Sequence, residues 1–358
     1  MTSVVLAGGG TAGHTSPLIA TAQVLEELGV QRLVAVGTAK GLETEVIPKA
    51  GLKLELIEPV PLPRTVNLDL ARLPVRLSRA VRQSLRILRR YNADVVVGFG
   101  GYVSIPVYLA ARAAKVPVVV HEANNIPGIA NKIGARFARY VATTFDTPMR
   151  GNPQVIGMPM NRSITRPSHT PEEARESFGL DPRRRTLLVS GGSQGALAVN
   201  RAVIGARDAL LDAGIQILHV LGPKNYADDP VVTRGGVAYV PVAYVDDMSR
   251  AYQAADLMVG RAGAGTVMET AVSGLPVIFI PLPWGNGEQG RNAAALVAAG
   301  GGVLLEENRL DEGTLGAQVL ELFEGDRLGE MAQIARDFYP SDAAEVLARA
   351  VYDIARKG

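Results

Sequence analysis

The residues best suited to chemistry are four histidines, several glycine-rich turns and a few carboxylates beside them. The stretch from Thr186 to Asn200 reads TLLVSGGSQGALAVN. A short β-favouring run leads into Gly191, Gly192 and Gly195, and a helical pattern begins at Ala196. Strand, tight turn and helix in that order point the unpaired N–H groups of a first helical turn outward, beside the positive end of the helix dipole. The natural ligand is a phosphate. Ser193 and Gln194 add side-chain donors that a purely structural turn does not need. The structural alternative is a glycine turn that only closes a βα unit.

A second glycine turn stands at the start of the chain. Val4 to Ala7 reads as a strand, Gly8-Gly9-Gly10-Thr11-Ala12-Gly13-His14 as a turn, and Pro17 to Leu28 as a helix that stops at Gly29. Gly8, Gly10 and Gly13 satisfy the dinucleotide fingerprint, which also wants an acid at the end of the second strand. Here that strand ends in Gly37-Thr38-Ala39, so a dehydrogenase is disfavoured. A third group lies between Gly260 and Asn292, where Arg261-Ala-Gly-Ala-Gly-Thr266 precedes a helix carrying Glu269. The loop Pro283 to Asn292 follows the next strand. Thr266-x-x-Glu269 fits a capping box, in which the glutamate only satisfies a backbone N–H; the alternative is that Glu269 accepts from ribose hydroxyls. Spacing leaves both open.

The elements that must hold these groups follow from pattern and length. At about 150 residues per domain, 358 residues suggest two domains. Short β-rich runs at Val4, Leu33, Val95, Val116, Val141 and Val155 alternate with helical segments. The pattern restarts at Leu187, Ile217, Val237, Leu257, Val277 and Gly302, so two doubly wound α/β domains are expected, joined near residue 160. Arg162 to Pro182 reads as a linker with a short helix, and Asp342 to Arg356 as a final helix. There is no cysteine, which excludes disulfides, thiolate metal sites and a cysteine nucleophile. The start resembles no signal peptide and no run reaches the roughly 18 apolar residues of a spanning helix, so a cytosolic protein is expected. The net charge of +2 favours no class of partner, nucleic acid included. Charge is concentrated between Arg64 and Arg90, where eight arginines face the single acid Asp69. Leu73, Leu77, Val81, Leu85 and Leu88 form one stripe among them. The segment is either an outer helix covering the core or a basic amphipathic surface resting on anionic lipid.

Seven motifs in order resemble the MurG family of bacterial N-acetylglucosaminyltransferases. They are Gly9-Gly-Thr-Ala-Gly-His14, Gly98-Phe-Gly-Gly-Tyr102, His121-Glu-Ala-Asn124, Gly191-Gly-Ser-Gln-Gly-Ala196, Val245-Asp-Asp-Met248, Arg261 through Glu269, and Gln289-Gly-Arg-Asn-Ala293. The resemblance implies a GT-B fold, two Rossmann-like domains facing a central cleft. Residues 1–160 would form the acceptor and membrane-facing domain and 161–340 the domain for UDP-N-acetylglucosamine; the helix in 341–358 would pack back on the first. It implies a hexosyltransferase that converts lipid I to lipid II for peptidoglycan synthesis, and so serves cell shape and division. Such a protein would sit peripherally on the cytoplasmic side of the cell inner membrane, against anionic lipid. On the donor side the resemblance places Ser193 and Gln194 at the diphosphate, Val245 at uracil, Glu269 at the ribose, and Gln289 with Asn292 at the sugar hydroxyls; Arg261, Ala264 and Thr266 belong to the same site. On the acceptor side it places Thr11, Gly13, His14, Tyr102 and Asn124. Ala123 stands where the family has glutamine, Glu288 and Gly290 alter the loop around Gln289, and Gly157 to Asn161 lacks the family's arginine. Arg162, one place on, is the candidate to replace that arginine.

Attack of the 4-hydroxyl of N-acetylmuramic acid on the anomeric carbon, with inversion, needs a general base and a stabilised leaving diphosphate. The chain has no Asp-x-Asp pair, so neither metal nor cofactor is expected, and the helix start after Ser193 takes that task. His169 falls in the linker and His219 in a strand, which leaves His14 and His121, with Glu122 as a carboxylate rival. His14 is the favoured base, against the alternative that its ring only bonds a loop carbonyl. Two other readings stay open: a UDP-N-acetylglucosamine 2-epimerase of the same fold, and a non-catalytic UDP-sugar-binding regulator.

Overall fold

Runs such as VVVGFG and TLLVS lack polar alternation, which suits strands buried on both faces of a parallel sheet, and every residue of both is buried. The structure is a computed structural model. It describes residues 1–60, 68–284 and 286–357, the side chains of 68–71 excepted. In chain order the elements are β1 (Ser3–Gly8), α1 (Ala12–Glu27), β2 (Arg32–Gly37), α2 (Glu43–Lys49), β3 (Lys53–Leu56), α3 (Leu68–Tyr91), β4 (Val95–Gly100), α4 (Ser104–Ala114), β5 (Val118–Glu122), α5 (Ile129–Gly134), β6 (Tyr140–Thr143) and β7 (Gln154–Val155). There follow α6 (Arg162–Thr165), α7 (Pro171–Ser177), β8 (Thr186–Ser190), α8 (Leu197–Asp212), β9 (Gln216–Val220), β10 (Val232–Arg234), β11 (Val237–Val242), α9 (Met248–Ala254) and β12 (Leu257–Gly260). The last are α10 (Ala264–Val272), β13 (Val277–Phe279), α11 (Glu288–Ala298), β14 (Val303–Leu304), a 3-10 turn (Glu307–Arg309), α12 (Glu312–Phe323), α13 (Arg327–Phe338) and α14 (Ala343–Lys357).

The chain divides into two compact units, Met1–Asn161 with Ser341–Gly358, and Arg162–Pro340. In the first, strands run β3-β2-β1-β4-β5-β6-β7, all parallel. In the second they run β10-β11-β9-β8-β12-β13-β14, parallel except for the β10–β11 edge pair. Both are doubly wound α/β sheets, the pair that the GT-B plan requires. In each, the order reverses beside the opening strand, between β1 and β4 and between β8 and β12. Connections leave such a reversal toward opposite faces and open a crevice at the C-terminal strand ends. The loops after those four strands are therefore where each unit presents its chemistry.

Period-two alternation decides which helix covers which face. Val4 and Leu6 of β1 face a core shared with Leu18 and Leu25 of α1 and with Leu347 and Val351 of α14. Val5 and Ala7 face the opposite core with Val107 and Tyr108 of α4. The basic segment belongs to this second layer. Leu73, Leu77, Val81 and Leu85 of α3 pack against it and Leu88 is buried within it, while Arg72, Arg79, Arg82, Arg86, Arg89 and Arg90 are exposed. The apolar stripe is thus consumed by the core, and only the arginine face is left for a membrane. Arg64 and the Asp69 side chain lie outside the described residues.

Several boundaries differ from the sequence reading. α1 begins at Ala12 rather than Pro17, so His14 lies in the first turn of the helix and not in the loop before it. Pro17 lies inside α1, beyond its first turn, where it can donate no i→i−4 hydrogen bond. Two short helices, α6 and α7, occupy the expected linker, and α7 carries a full capping box between Thr170 and Glu173. β3 and β10 were not foreseen: both are short edge strands with exposed positions, where burial imposes no hydrophobic pattern.

Candidate active site

In the second unit the turn after β8 behaves as its glycines suggest. Gly192 and Gly195 have φ of 86° and 74°, and Gly195 donates its N–H to the Gly192 carbonyl at 2.9 Å. A side chain on Gly195 would collide with the Leu221 carbonyl oxygen. α8 follows with Ala196 at its N-cap and no side chain capping it, so the first-turn N–H groups stay available. α10 opens in the same way behind Gly263. A cavity of about 460 Å³ is lined by Gly191 through Ala198, Arg261, Gly263, Thr266, Leu282, Trp284, Gln289 and Glu307. Two uncapped helix N-termini, each the positive end of its dipole, thus meet in one place beside Arg261 and the carboxylate of Glu307.

Arg261 is almost wholly buried. Its Nη1 donates to the carbonyls of Ile280 and Pro281 at 3.1 and 3.3 Å, and its Nη2 pairs with Glu307 at 2.5 Å. Its Nε is buried without a partner among the described residues. Gln289 accepts the Leu282 N–H through Oε1 at 3.0 Å, which leaves its amide NH₂ to donate. Of the residues expected around the donor, the cavity gathers Ser193, Gln194, Arg261, Thr266 and Gln289. Val245, Ala264, Glu269, Asn292 and Arg162 are not among its lining. Asn292 lies behind the wall, buried, with its amide donating to Ala262 O at 3.4 Å. Arg162 is exposed on α6, a helix packed against α9 and α10. Val245 is buried just before Asp247, which caps α9 through the Ser249 N–H.

The structure removes one of the two readings of Glu269 that spacing left open. The N-cap of α10 is Gly263 and no capping box forms. The carboxylate instead accepts the Tyr252 hydroxyl at 2.9 Å. Removal from water lifts the Glu269 pKa to about 7, against the opposing pull of that hydrogen bond. A second cavity, of about 420 Å³, is lined by Arg185, Tyr252, Asp256, Gly274 and Arg336 at the opposite ends of β8, β12 and β13; it contains none of the expected site residues.

In the first unit the turn after β1 abuts the turn after β4. Tyr102 lies over Gly10, where a Cβ would sit 3.6 Å from the ring, and Gly100, with φ of 100°, sits against the His14 imidazole. His14 Nδ1 lies 3.0 Å from the Gly9 carbonyl and 3.2 Å from Thr11 Oγ1. A carbonyl only accepts, so Nδ1 carries a hydrogen, and in the neutral ring the lone pair is on Nε2. The loop-carbonyl bond expected of a merely structural histidine is present, and in the neutral ring it is also the bond that places the lone pair on Nε2. The other two candidates are differently placed. His121 is fully buried with Nε2 3.1 Å from Gly157 O, and burial pushes its pKa down to about 4. Glu122 accepts from Asn124 N at 2.9 Å, Gly128 N at 3.0 Å and Asn131 Nδ2 at 2.9 Å. Its carboxylate thereby fixes the loop that carries Asn124.

Sequence reasoning missed Glu43. Fully buried on α2, it accepts the Gly10 N–H at 2.9 Å, the Thr38 N–H at 2.9 Å and the Thr38 hydroxyl at 3.0 Å. The acid sought at Ala39 stands four residues later and consumes a loop N–H that a dinucleotide would need. Glu307 and Tyr252 were missed too, since each acts only through a partner distant in sequence.

Comparison with known proteins follows the same division. The glycosyltransferase family 28 N-terminal domain matches residues 4–143, and the family's C-terminal domain matches residues 186–347. A protein of Cutibacterium acnes is 54% identical over 97% of this chain and 96% of its own length; it is named UDP-N-acetylglucosamine--N-acetylmuramyl-(pentapeptide) pyrophosphoryl-undecaprenol N-acetylglucosamine transferase. A protein of the same name from Nocardioides sp. is 50% identical over 98% of each chain. The crystal structure of MurG from Acinetobacter baumannii superposes with a TM-score of 0.78 at 27% identity, covering 99% of this chain and 100% of that one.

Proposed function

We infer the activity from the family: this chain belongs to the MurG family, within glycosyltransferase family 28. It transfers N-acetylglucosamine from UDP-N-acetylglucosamine to lipid I, the undecaprenyl-diphosphate-linked N-acetylmuramyl peptide, and the product is lipid II for peptidoglycan synthesis. Relatives about half identical over nearly the whole chain carry this transferase name, so neither an epimerase nor a silent binder is favoured.

The observation that supports a nucleotide-sugar donor best is the cavity where two uncapped helix starts meet Arg261. In this reading the diphosphate rests on the α8 N-terminus with Ser193 and Gln194, and as the anomeric bond breaks the dipole and Arg261 stabilise the charge on departing UDP. Glu269 holds the ribose, Val245 offers its backbone to uracil, and Gln289 donates to the sugar; Asn292 supports the wall through Ala262. Arg162 and Ala264 complete the donor side. His14 Nε2 takes the proton from the attacking 4-hydroxyl of N-acetylmuramic acid, giving the inverted β-1,4 linkage, with Thr11, Gly13, Tyr102 and Asn124 around the acceptor. Glu122 acts by fixing the Asn124 loop. Attachment is peripheral, on the cytoplasmic face of the inner membrane, through the arginine face of α3 on anionic lipid. Among the described residues no helix is long and apolar enough to cross a membrane.

The test is UDP release from UDP-N-acetylglucosamine with and without a soluble lipid I analogue. Release that requires the analogue is expected. An epimerised sugar from donor alone, or no release with the analogue present, overturns the reading.

A further inference from the structure

The chain's single tryptophan, Trp284, is 67% exposed and lines the same cavity as the glycine turn, Thr266 and Gln289. The backbone leading to it is braced. Arg261 donates to the carbonyls of Ile280 and Pro281, and Gln289 accepts the Leu282 N–H, so two cavity-lining side chains brace the backbone just before it. Beyond it Gly287, with φ of 72°, turns the chain into α11. The residues just before Trp284 are therefore held, and Trp284 itself borders the cavity with most of its side chain exposed.

We propose that Trp284 is the platform on which the donor's hexosamine ring stacks. This rests on the transferase reading above and extends it to sugar recognition. The C–H bonds on one face of a pyranose carry partial positive charge, and an indole face is negative. The residues assigned to uracil and ribose, Val245 and Glu269, are outside the cavity lining, whereas Trp284 shares it with the diphosphate turn and the Gln289 amide. A ligand whose diphosphate sits on the turn has its sugar, not its base, on the side of Gln289 and Trp284. Bracing of residues 280–282 before the ligand arrives lowers the backbone ordering cost of binding.

The test uses the whole protein. Trp284 being the sole tryptophan, its emission reports this position alone. UDP-N-acetylglucosamine should shift and quench the emission well beyond the effect of UDP; equal responses to the two overturn the proposal. Trp284→Ala should raise the donor KM about five- to tenfold while leaving the affinity for UDP unchanged, which also shows that the site remains folded. Trp284→Phe should recover most of that loss. An unchanged donor KM, or a rise confined to the acceptor KM, overturns the proposal. Acceptor-dependent UDP release by the wild type is scored separately, so failure of the transferase reading is distinguishable from failure of the stacking contact.

Discussion

Glu269 is the residue whose protonation should govern donor binding. Loss of water raises its pKa to about 7, so in the folded, unliganded protein the neutral form persists well above the usual carboxylate range. A ribose diol donates two hydrogen bonds and therefore prefers the ionised form. Binding then lowers the pKa, and affinity for UDP falls as pH drops through 7. If only the carboxylate form binds, UDP should bind about tenfold more weakly at pH 6 than at pH 8. Calorimetric titration at both pH values checks this, and Glu269→Gln should remove the dependence; equal affinities in the wild type would contradict it. The corresponding stability term has the opposite sense: a folded pKa above the unfolded one favours the fold at low pH, and that contribution is lost as pH rises through 7. For the acceptor side, His14→Ala should lower kcat about 10²- to 10⁴-fold with UDP affinity intact, since the ring is in the first unit and the cavity proposed for the nucleotide is in the second. Retained turnover would remove His14 as the base. Its residue type was legible in the sequence, but not the Gly9 carbonyl contact that fixes its tautomer.

At the scale of single elements, the turn from β8 to α8 was readable because glycine spacing and helix onset are local. Its geometry sets a sharp requirement at Gly195, where φ is 74° and a Cβ would meet the Leu221 carbonyl. Gly195→Ala should lose stability by roughly 1–2 kcal/mol from the left-handed backbone alone, with the collision adding to it, and should abolish UDP binding. Thermal unfolding with and without UDP measures both effects. α3 shows the limit of pattern reading in another way. An amphipathic stripe looks the same whether it covers a core or a bilayer, and only packing reveals that Leu77, Val81 and Leu85 are occupied from within. Reversing the charges of Arg79, Arg82 and Arg86, all exposed, should therefore spare folding and weaken sedimentation with anionic vesicles by roughly a hundredfold or more. Undiminished sedimentation would exclude this face as the contact. The same lesson applies to Thr266-x-x-Glu269, which has capping-box spacing but forms no box because α10 starts at Gly263.

At the scale of the whole molecule, the last helix ties the two ends of the chain into one unit. Leu347, Ala348 and Val351 of α14 are fully buried with Leu18 and Ala22 of α1. Leu347→Ala should cost about 2–5 kcal/mol in the first unit. Denaturation followed alongside UDP binding should show an early transition that leaves nucleotide affinity in place, because the second unit has its own core. A single transition with simultaneous loss of UDP binding would mean that the two units unfold together. The two α/β domains, the glycine turns at the start of each, and the family were all legible in the amino-acid order, because they are written in short-range spacing and hydrophobic period. The tertiary structure alone decided what each carboxylate does. Glu43 braces Gly10 from 33 positions away, Glu269 meets Tyr252 on another helix, and Glu307 reaches Arg261 across the cavity. A carboxylate's pKa and role come from the donors and the water around it, and folding is what brings those neighbours together.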